Sequence, residues 1–85
     1  MKTNKKEYVY LLTRKFNGEV IKSLYHDFNT ALDEFNTAYR SNEQNGFACA
    51  VQTTVDERGQ YTKVSKCMKG TNVIRMRLES IYFCD

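Results

Sequence analysis

Two runs of β-branched and aromatic residues near the start of the chain predict a β-hairpin. They cover residues 7–14 and 19–25, and Asn17-Gly18 stands between them. Asn-Gly is the strongest short hairpin signal, because a type I′ turn needs a positive φ at both central residues. A three-residue loop would shift the register by one residue. With the two-residue turn, the facing pairs are Phe16–Glu19, Leu11–Leu24 and Tyr10–Tyr25.

The two faces of this hairpin carry different side chains. One face is aliphatic, with Val9, Leu11, Val20 and Leu24. The other is rich in aromatic residues, with Tyr8, Tyr10, Leu12, Phe16, Ile21 and Tyr25. If a helix covers the aliphatic face, the aromatic set is exposed as an interface patch. We favour the alternative, in which the register differs or the helix covers the tyrosine face, because aromatic stripes are more often core than binding site.

A single apolar stripe predicts one amphipathic helix after the hairpin. Its members follow the spacing of one helix face, and they are Phe28, Ala31, Leu32, Phe35, Ala38 and Tyr39. Asp27 or Asn29 can cap the first turn. Residues 41–46 have the composition of a loop and end the helix.

After that loop the pattern returns to alternation and predicts a three-stranded meander over residues 47–55, 60–68 and 73–84. Turn-forming segments separate the strands. In the last strand the apolar positions Ile74, Met76 and Leu78 alternate with Arg75, Arg77 and Glu79, so one face is buried and one is solvated. The alternation slips near Ser80, which predicts a bulge or burial on both sides of the strand.

The element order is therefore ββ-α-βββ, and the predicted fold is α+β. Because the helix stripe is one face wide, it needs one sheet face to cover it. The expectation is a five-stranded antiparallel sheet with one helix on one side and an open face on the other. The 85 residues form a single domain, with residues 1–6 as a flexible basic tail. The strand order stays open; the hairpin and the meander could join along strands one and five.

Composition narrows the cellular setting and the partner. A net charge of +3 and a pI near 8.8 permit a nucleic-acid partner without requiring one. The apolar runs are too short for a membrane helix, and no apolar stretch of signal-peptide length follows the basic N-terminus. An odd number of cysteines without CxxC spacing favours a reducing cytoplasm, in which the thiols of Cys49, Cys67 and Cys84 serve as small buried hydrophobic groups.

Few residues could carry catalysis or bind a cofactor. His26 is the one histidine, and its place between hairpin and helix favours a structural role. A Cys₃His zinc site is disfavoured because the cysteines are not closely paired, although a turn at Gly59 would put Cys49 opposite Cys67 as a cross-strand pair or metal half-site. Phosphate-loop, dinucleotide and hydrolase motifs are missing. The sequence thus predicts no enzymatic activity, no cofactor and no metal.

The remaining candidates are binding residues. Arg75 and Arg77 project from one side of the last strand, and Lys63 and Lys66 lie on its neighbour. The two lysines differ in parity, so they do not share a face unless a bulge intervenes. Solubilising charge on an exposed face explains these cations adequately. The functional alternative is a surface for phosphate or acidic protein groups.

The leading hypothesis is a small non-enzymatic protein that occupies a surface of a larger macromolecule, with a protein as the favoured partner. Its contact residues would be Tyr8, Tyr10, Arg75 and Arg77, or an edge strand. The alternative is nucleic-acid binding through the open basic face by Lys63, Lys66, Arg75 and Arg77. A homodimer through a sheet edge is a further option. In size, lack of proline and lack of a catalytic motif, the chain resembles small inhibitors or accessory proteins of phages and mobile elements.

Overall fold

All five strands belong to one antiparallel sheet, and one helix packs on it. The structure is a computed structural model that describes residues 6–84, with side chains for residues 8–81. Its elements are β1 (Lys6–Phe16), β2 (Glu19–Tyr25), α1 (Phe28–Gln44), β3 (Ala48–Val55), β4 (Tyr61–Lys69) and β5 (Asn72–Cys84). The predicted α+β fold with the order ββ-α-βββ is confirmed. The predicted tail over residues 1–5 lies outside the described residues, and Lys6 already begins β1.

The first hairpin has the predicted turn and register. Asn17 and Gly18 have φ values of 49° and 84°, the two left-handed positions that a type I′ turn requires. Pairing then runs without a break from Phe16 opposite Glu19 to Tyr10 opposite Tyr25. Local turn chemistry therefore determines which side chains of β1 and β2 share a face.

The hairpin joins the meander along β1 and β5, and the strand order is β2-β1-β5-β4-β3. Eleven residue pairs connect these two strands, from Lys6 opposite Cys84 to Phe16 opposite Ile74. The long strands β1 and β5 are thus the centre of the sheet, and β2 and β3 are its edges. This is the connection that the sequence left open.

Helix α1 covers the tyrosine face of the hairpin. Asp27 caps it, because its Oδ2 accepts hydrogen bonds from the Thr30 amide at 2.9 Å and the Thr30 hydroxyl at 2.8 Å. Ala31 and Phe35 are fully buried between the helix and the sheet. Around them, the core contains Leu12, Met76 and Leu78, with Tyr10, Tyr25 and Tyr61 packed against it. Of the two arrangements considered, the aromatic stripe is therefore core.

The irregularity expected near Ser80 does not exist, so the predicted bulge is wrong. The pairing of β5 with β1 and with β4 keeps one register through Ser80. Ser80 is buried and its Oγ accepts a hydrogen bond from the Tyr61 amide at 2.8 Å. Ile81 is 38% exposed, so burial on both sides is wrong at this residue, and the side chains of Tyr82 and Phe83 lie outside the described residues. Ser80 therefore occupies a core position of the alternating pattern, and its hydroxyl group is hydrogen-bonded there.

Cys49 and Cys67 face each other across β3 and β4, as the Gly59 turn predicted. They are joined by a disulfide, so the expectation of free thiols is wrong for this pair. Cys67 is fully buried, and the amide nitrogen of Asn42 in α1 lies 3.7 Å from its sulfur. The side chain of Cys84 lies outside the described residues. Because two of the three cysteines are paired, the argument from an unpaired cysteine count to a reducing compartment loses its main premise.

Across residues 6–84, no helix has both the length and the hydropathy that crossing a bilayer requires.

Candidate binding face

The sheet has one covered side and one open side, and strand parity determines which residues lie on each. Following the pairing from strand to strand, odd-numbered residues of β1 and β5 share a side with even-numbered residues of β2, β3 and β4. We call this side the open face. Every buried sheet residue belongs to the opposite side: Leu12, Ser65, Cys67, Met76, Leu78 and Ser80. The open face therefore points away from α1.

The open face forms a shallow depression of about 630 Å³ that reaches across the sheet. Its charged lining residues within residues 8–81 are Lys15, Lys22, Lys66, Arg75, Arg77 and Glu79. Five cations thus stand against one carboxylate, an excess larger than the +3 of the whole chain. The described lining of this side is therefore net positive.

Three of these cations form a continuous row across the centre of the sheet. Lys15 on β1 lies directly opposite Arg75 on β5, and Arg75 lies directly opposite Lys66 on β4. All three side chains are exposed. Side chains that face each other on adjacent strands have Cβ atoms about 5 Å apart, and like charges in such positions are destabilising. The row therefore costs folding stability unless an anion binds to it.

A second, weaker group of charges lies one step along the strands. Thr13 is opposite both Arg77 and Lys22, so these two cations flank it on the next row. The Nε of Arg77 is 3.6 Å from Oε2 of Glu79, but the Arg77 side chain is 59% exposed. An exposed pair of this kind contributes little, since solvent and salt screen it. The guanidinium of Arg77 therefore remains accessible to a ligand.

Apolar side chains lie among the charges, and within residues 8–81 none of the lining residues is aromatic. Leu11, Ala50 and Val64 line the same depression, and Val64 is 37% exposed. From residue 8 to residue 81, every Tyr and Phe lies on the α1 side of the sheet, on the helix or in the loop that follows it. Among residues 8–81, the open face therefore offers aliphatic contact and cations, but no stacking platform for a base.

The four predicted protein-contact residues lie on opposite sides of the sheet. Arg75 and Arg77 are on the open face, whereas Tyr8 and Tyr10 are on the side of α1. The ring of Tyr10 packs edge-on against Phe28 with centroids 5.3 Å apart. Both tyrosines are half-buried. One partner surface on the sheet cannot contact all four.

The set predicted for nucleic acid is also divided. Lys66, Arg75 and Arg77 share the open face, but Lys63 projects toward α1, as its parity suggested. Its Nζ donates to Oδ1 of Asn36 at 3.1 Å and lies 5.1 Å from the centre of the Phe35 ring. Lys63 is thus a contact between β4 and the helix.

Lys15 and Lys22 line this candidate face, and the sequence reasoning did not find them. Their parity was available, because the Asn17-Gly18 turn determines the register of β1 and β2. What was missing is the pairing of β1 with β5, which brings Lys15 next to Arg75. A search for cations of matching parity on strands one and five would have found Lys15.

The other groups considered for chemistry lie away from this face. His26 is exposed in the link between β2 and α1. The Thr30 amide and then the Thr30 hydroxyl lower the pKa of Asp27 as part of the helix cap. Burial raises the pKa of Tyr61, whose ring packs edge-on against Phe28 with centroids 5.0 Å apart. Residues 8–81 contain no cluster of three or more His, Cys, Asp or Glu side chains arranged to hold a metal ion.

No protein-family model matches the chain, and no curated protein is significantly similar to it. The open face is therefore the basis for a functional proposal.

Proposed function

We propose that the chain is a non-enzymatic binding protein whose open face docks onto an acidic surface of a larger protein. The observation that carries this proposal is the row of Lys15, Arg75 and Lys66, which face one another directly on three central strands. Mutual repulsion in such a row is relieved when carboxylates bind between the cations. Arginine adds bidentate contacts to carboxylates, which gives orientation as well as affinity.

The mixture of charge and aliphatic surface favours a protein over a nucleic acid. Leu11 and Val64 lie in the same depression as the cations, and they can be buried only against apolar groups of a partner. A partner surface with carboxylates beside aliphatic side chains, such as the border between the apolar and acidic faces of a helix, suits such a depression. By covering a surface of its partner, the protein would act as an inhibitor or accessory factor.

Nucleic-acid binding is the second candidate, and the cations on the open face are what favours it. Lys66, Arg75 and Arg77 could neutralise phosphates together with Lys15 and Lys22. Two features count against it: the open face has no aromatic residue among residues 8–81, and Glu79 lies among the cations. Single-stranded nucleic acid is usually held by base stacking, for which residues 8–81 place no aromatic side chain on this face.

The test compares charge reversal on and off the open face. The double variant Lys66→Glu/Arg75→Glu reverses the central row, and Arg40→Glu/Arg58→Glu makes the same change of charge on exposed residues of α1 and of the β3–β4 turn. Wild type and both variants are immobilised and exposed to nuclease-treated extract of the native host. We expect a protein that the wild type and the control retain and the open-face variant loses.

The retained protein is then purified and titrated against all three forms. We expect the open-face variant to bind at least about tenfold more weakly, since each charge-assisted hydrogen bond contributes about 1.5–3 kcal/mol. Equal loss of binding in both variants would contradict the assignment of the open face. Retention of nucleic acid without a protein, with affinity that falls steeply as salt rises, would support the second candidate instead.

A further inference from the structure

Within residues 6–84 the sheet has two edge strands, β2 and β3, and they differ in how they are protected. Lys22 lies in the middle of β2, and a lysine on an edge strand discourages pairing with another chain. Strand β3 runs over Ala48–Val55 with the sequence ACAVQTTV, which contains neither a charge nor a proline. Seven of its eight residues are exposed. Edge β3 thus lacks the usual devices against pairing.

The hydrogen-bonding groups available at this edge can be read from the turn that follows it. The amide of Asp56 donates to the carbonyl of Gln60 at 3.1 Å, in the same register that pairs β3 with β4. Hydrogen-bonded and non-hydrogen-bonded positions alternate along an antiparallel pair. The amides and carbonyls that point away from β4 therefore belong to Cys49, Val51, Thr53 and Val55. Their side chains lie on the α1 side of the sheet.

Two of these residues also leave apolar surface exposed beyond the helix. Val51 is 46% exposed and Val55 is 61% exposed, because α1 leaves both side chains uncovered although it contacts β3. The edge therefore combines outward-pointing backbone groups with adjacent β-branched side chains. This combination is typical of a strand that receives another strand.

We propose that β3 pairs with β3 of a second copy of this chain, antiparallel, about a twofold axis perpendicular to the sheet at Val51. The outward-pointing amides and carbonyls of β3 all belong to odd-numbered residues. In a hydrogen-bonded pair of two β3 strands, an odd-numbered residue of one copy must therefore face an odd-numbered residue of the other. The symmetric register with Val51 facing Val51 meets this condition and pairs Cys49 with Thr53 on both sides. Each copy presents the same patch, as an isologous interface requires.

Charge complementarity at the ends of the paired strands supports a second copy as the occupant. Antiparallel pairing brings the turn with Asp56 and Glu57 of one copy beside residues 45–46 of the other. Lys69 lies at that point, because its Nζ donates to the carbonyl of Asn45 at 2.8 Å. The axis repeats the arrangement, so each turn, with the two carboxylates of Asp56 and Glu57 against the one cation of Arg58, lies beside Lys69 of the other copy. A parallel pair would place acidic turn against acidic turn.

The dimer has a geometric consequence for the open face. A twofold axis perpendicular to the sheet keeps both open faces on the same side, so the two sheets form one continuous ten-stranded layer. This inference stands apart from the proposed function, because none of the cations on the open face takes part in the β3 contact. The variant Lys66→Glu/Arg75→Glu is expected to keep the mass of the wild type.

The test is the mass of the protein in solution, measured by sedimentation velocity across a range of concentrations. We expect twice the 10.0 kDa chain mass for the wild type. Val51→Lys places two ammonium groups at the axis, and we expect its mass to fall by half. Ile21→Lys is the matched control, since Ile21 is 51% exposed on the other edge strand and on the same side of the sheet. It should remain dimeric.

A second measurement does not depend on a destabilising change. Directly facing residues of a hydrogen-bonded antiparallel pair have Cα atoms about 5.5 Å apart, which is within disulfide range. Val51→Cys should therefore form a covalent dimer under mild oxidation, and the wild type and Ile21→Cys should not. A wild type that sediments as a single chain at every concentration would overturn the proposal. So would a dimer whose mass Val51→Lys leaves unchanged, or open assemblies larger than a dimer.

Discussion

At the scale of single residues, the most informative feature is a placement that opposes folding. Lys15, Arg75 and Lys66 face one another on adjacent strands, where an opposite charge or a neutral side chain would be more stable. Asp27 is the opposite case, because its carboxylate satisfies two donors of Thr30 at the start of α1. One group of residues costs stability and the other provides it, and both effects can be measured.

Arg75→Thr is expected to stabilise the fold. It removes the central charge of the row and leaves a β-branched residue that suits a strand, so we expect a gain of about 0.5–1 kcal/mol in the free energy of unfolding at low ionic strength. The measurement is urea denaturation at low and at high salt, where screening should remove most of the gain. Arg58→Thr lowers the net charge equally and should leave stability nearly unchanged. A loss of stability in Arg75→Thr would show that Lys15 and Lys66 do not repel it.

Asp27→Ala is expected to lower the melting temperature by several degrees at neutral pH, because it removes the helix cap. The lowered pKa of Asp27 means that its contribution is complete above the ordinary Asp value of 3.8 and is lost as pH falls through the pKa of the folded state. The difference between wild type and variant should therefore shrink in acid. Asp27→Asn keeps a capping side chain and should show no such pH dependence. Thermal melts at a series of pH values provide the comparison.

At the scale of elements, helix α1 and strand β3 show how unevenly the sheet is supported. Phe35 and Ala31 of α1 are buried over the centre of the sheet. Strand β3 contributes no residue to this buried set and is nearly all exposed. It is held by its pairing with β4 and by the disulfide from Cys49 to Cys67. The disulfide thus reinforces the least covered strand of the described sheet.

Reduction of this disulfide is expected to destabilise the protein. The two cysteines are 18 residues apart, and closing a loop of that length contributes about 3 kcal/mol by restricting the unfolded chain. Urea midpoints with and without reductant test this expectation. The double variant Cys49→Ala/Cys67→Ala should be less stable than the oxidised wild type and should not respond to reductant. Identical midpoints for reduced and oxidised wild type would contradict it.

At the scale of the whole molecule, the pairing of β1 with β5, which we call the seam, joins the hairpin and the meander into one cooperative unit. The hairpin contributes Leu12 to the core and the meander contributes Met76 and Leu78, while Phe35 of α1 lies between them. Neither motif buries this set by itself. The same seam also brings Lys15 next to Arg75, so the fold and the basic row depend on one pairing.

Unfolding is accordingly expected to be a single transition. Tyrosine fluorescence reports on the core, where Tyr10 and Tyr61 pack against Phe28, and far-ultraviolet circular dichroism reports on the strands and helix. Their denaturation curves should coincide. Phe35→Ala should lower both midpoints together, by about 3–5 kcal/mol in the free energy of unfolding. Two separate transitions, with the hairpin unfolding first, would contradict a shared core.

Most of the fold was predictable from local pattern, and little of the candidate site was. Asn17-Gly18 determines a turn, the turn determines the register of β1 and β2, and the spacing from Phe28 to Tyr39 determines a helix. Lys15 was missed because the pairing of β1 with β5 was left open. Lys63 was grouped with Lys66, although the parity of the two lysines already indicated opposite faces of β4.

The sequence by itself determined the elements, their order and the two faces of each strand, because these depend on residues close together along the chain. The tertiary structure decided which face α1 covers, which strands are edges and which cations meet. Alternation shows that the faces of a strand differ, but it does not show which face meets the core. That choice depends on the pairing of β1 with β5, between residues far apart in the chain. The basic row exists only after that pairing has formed.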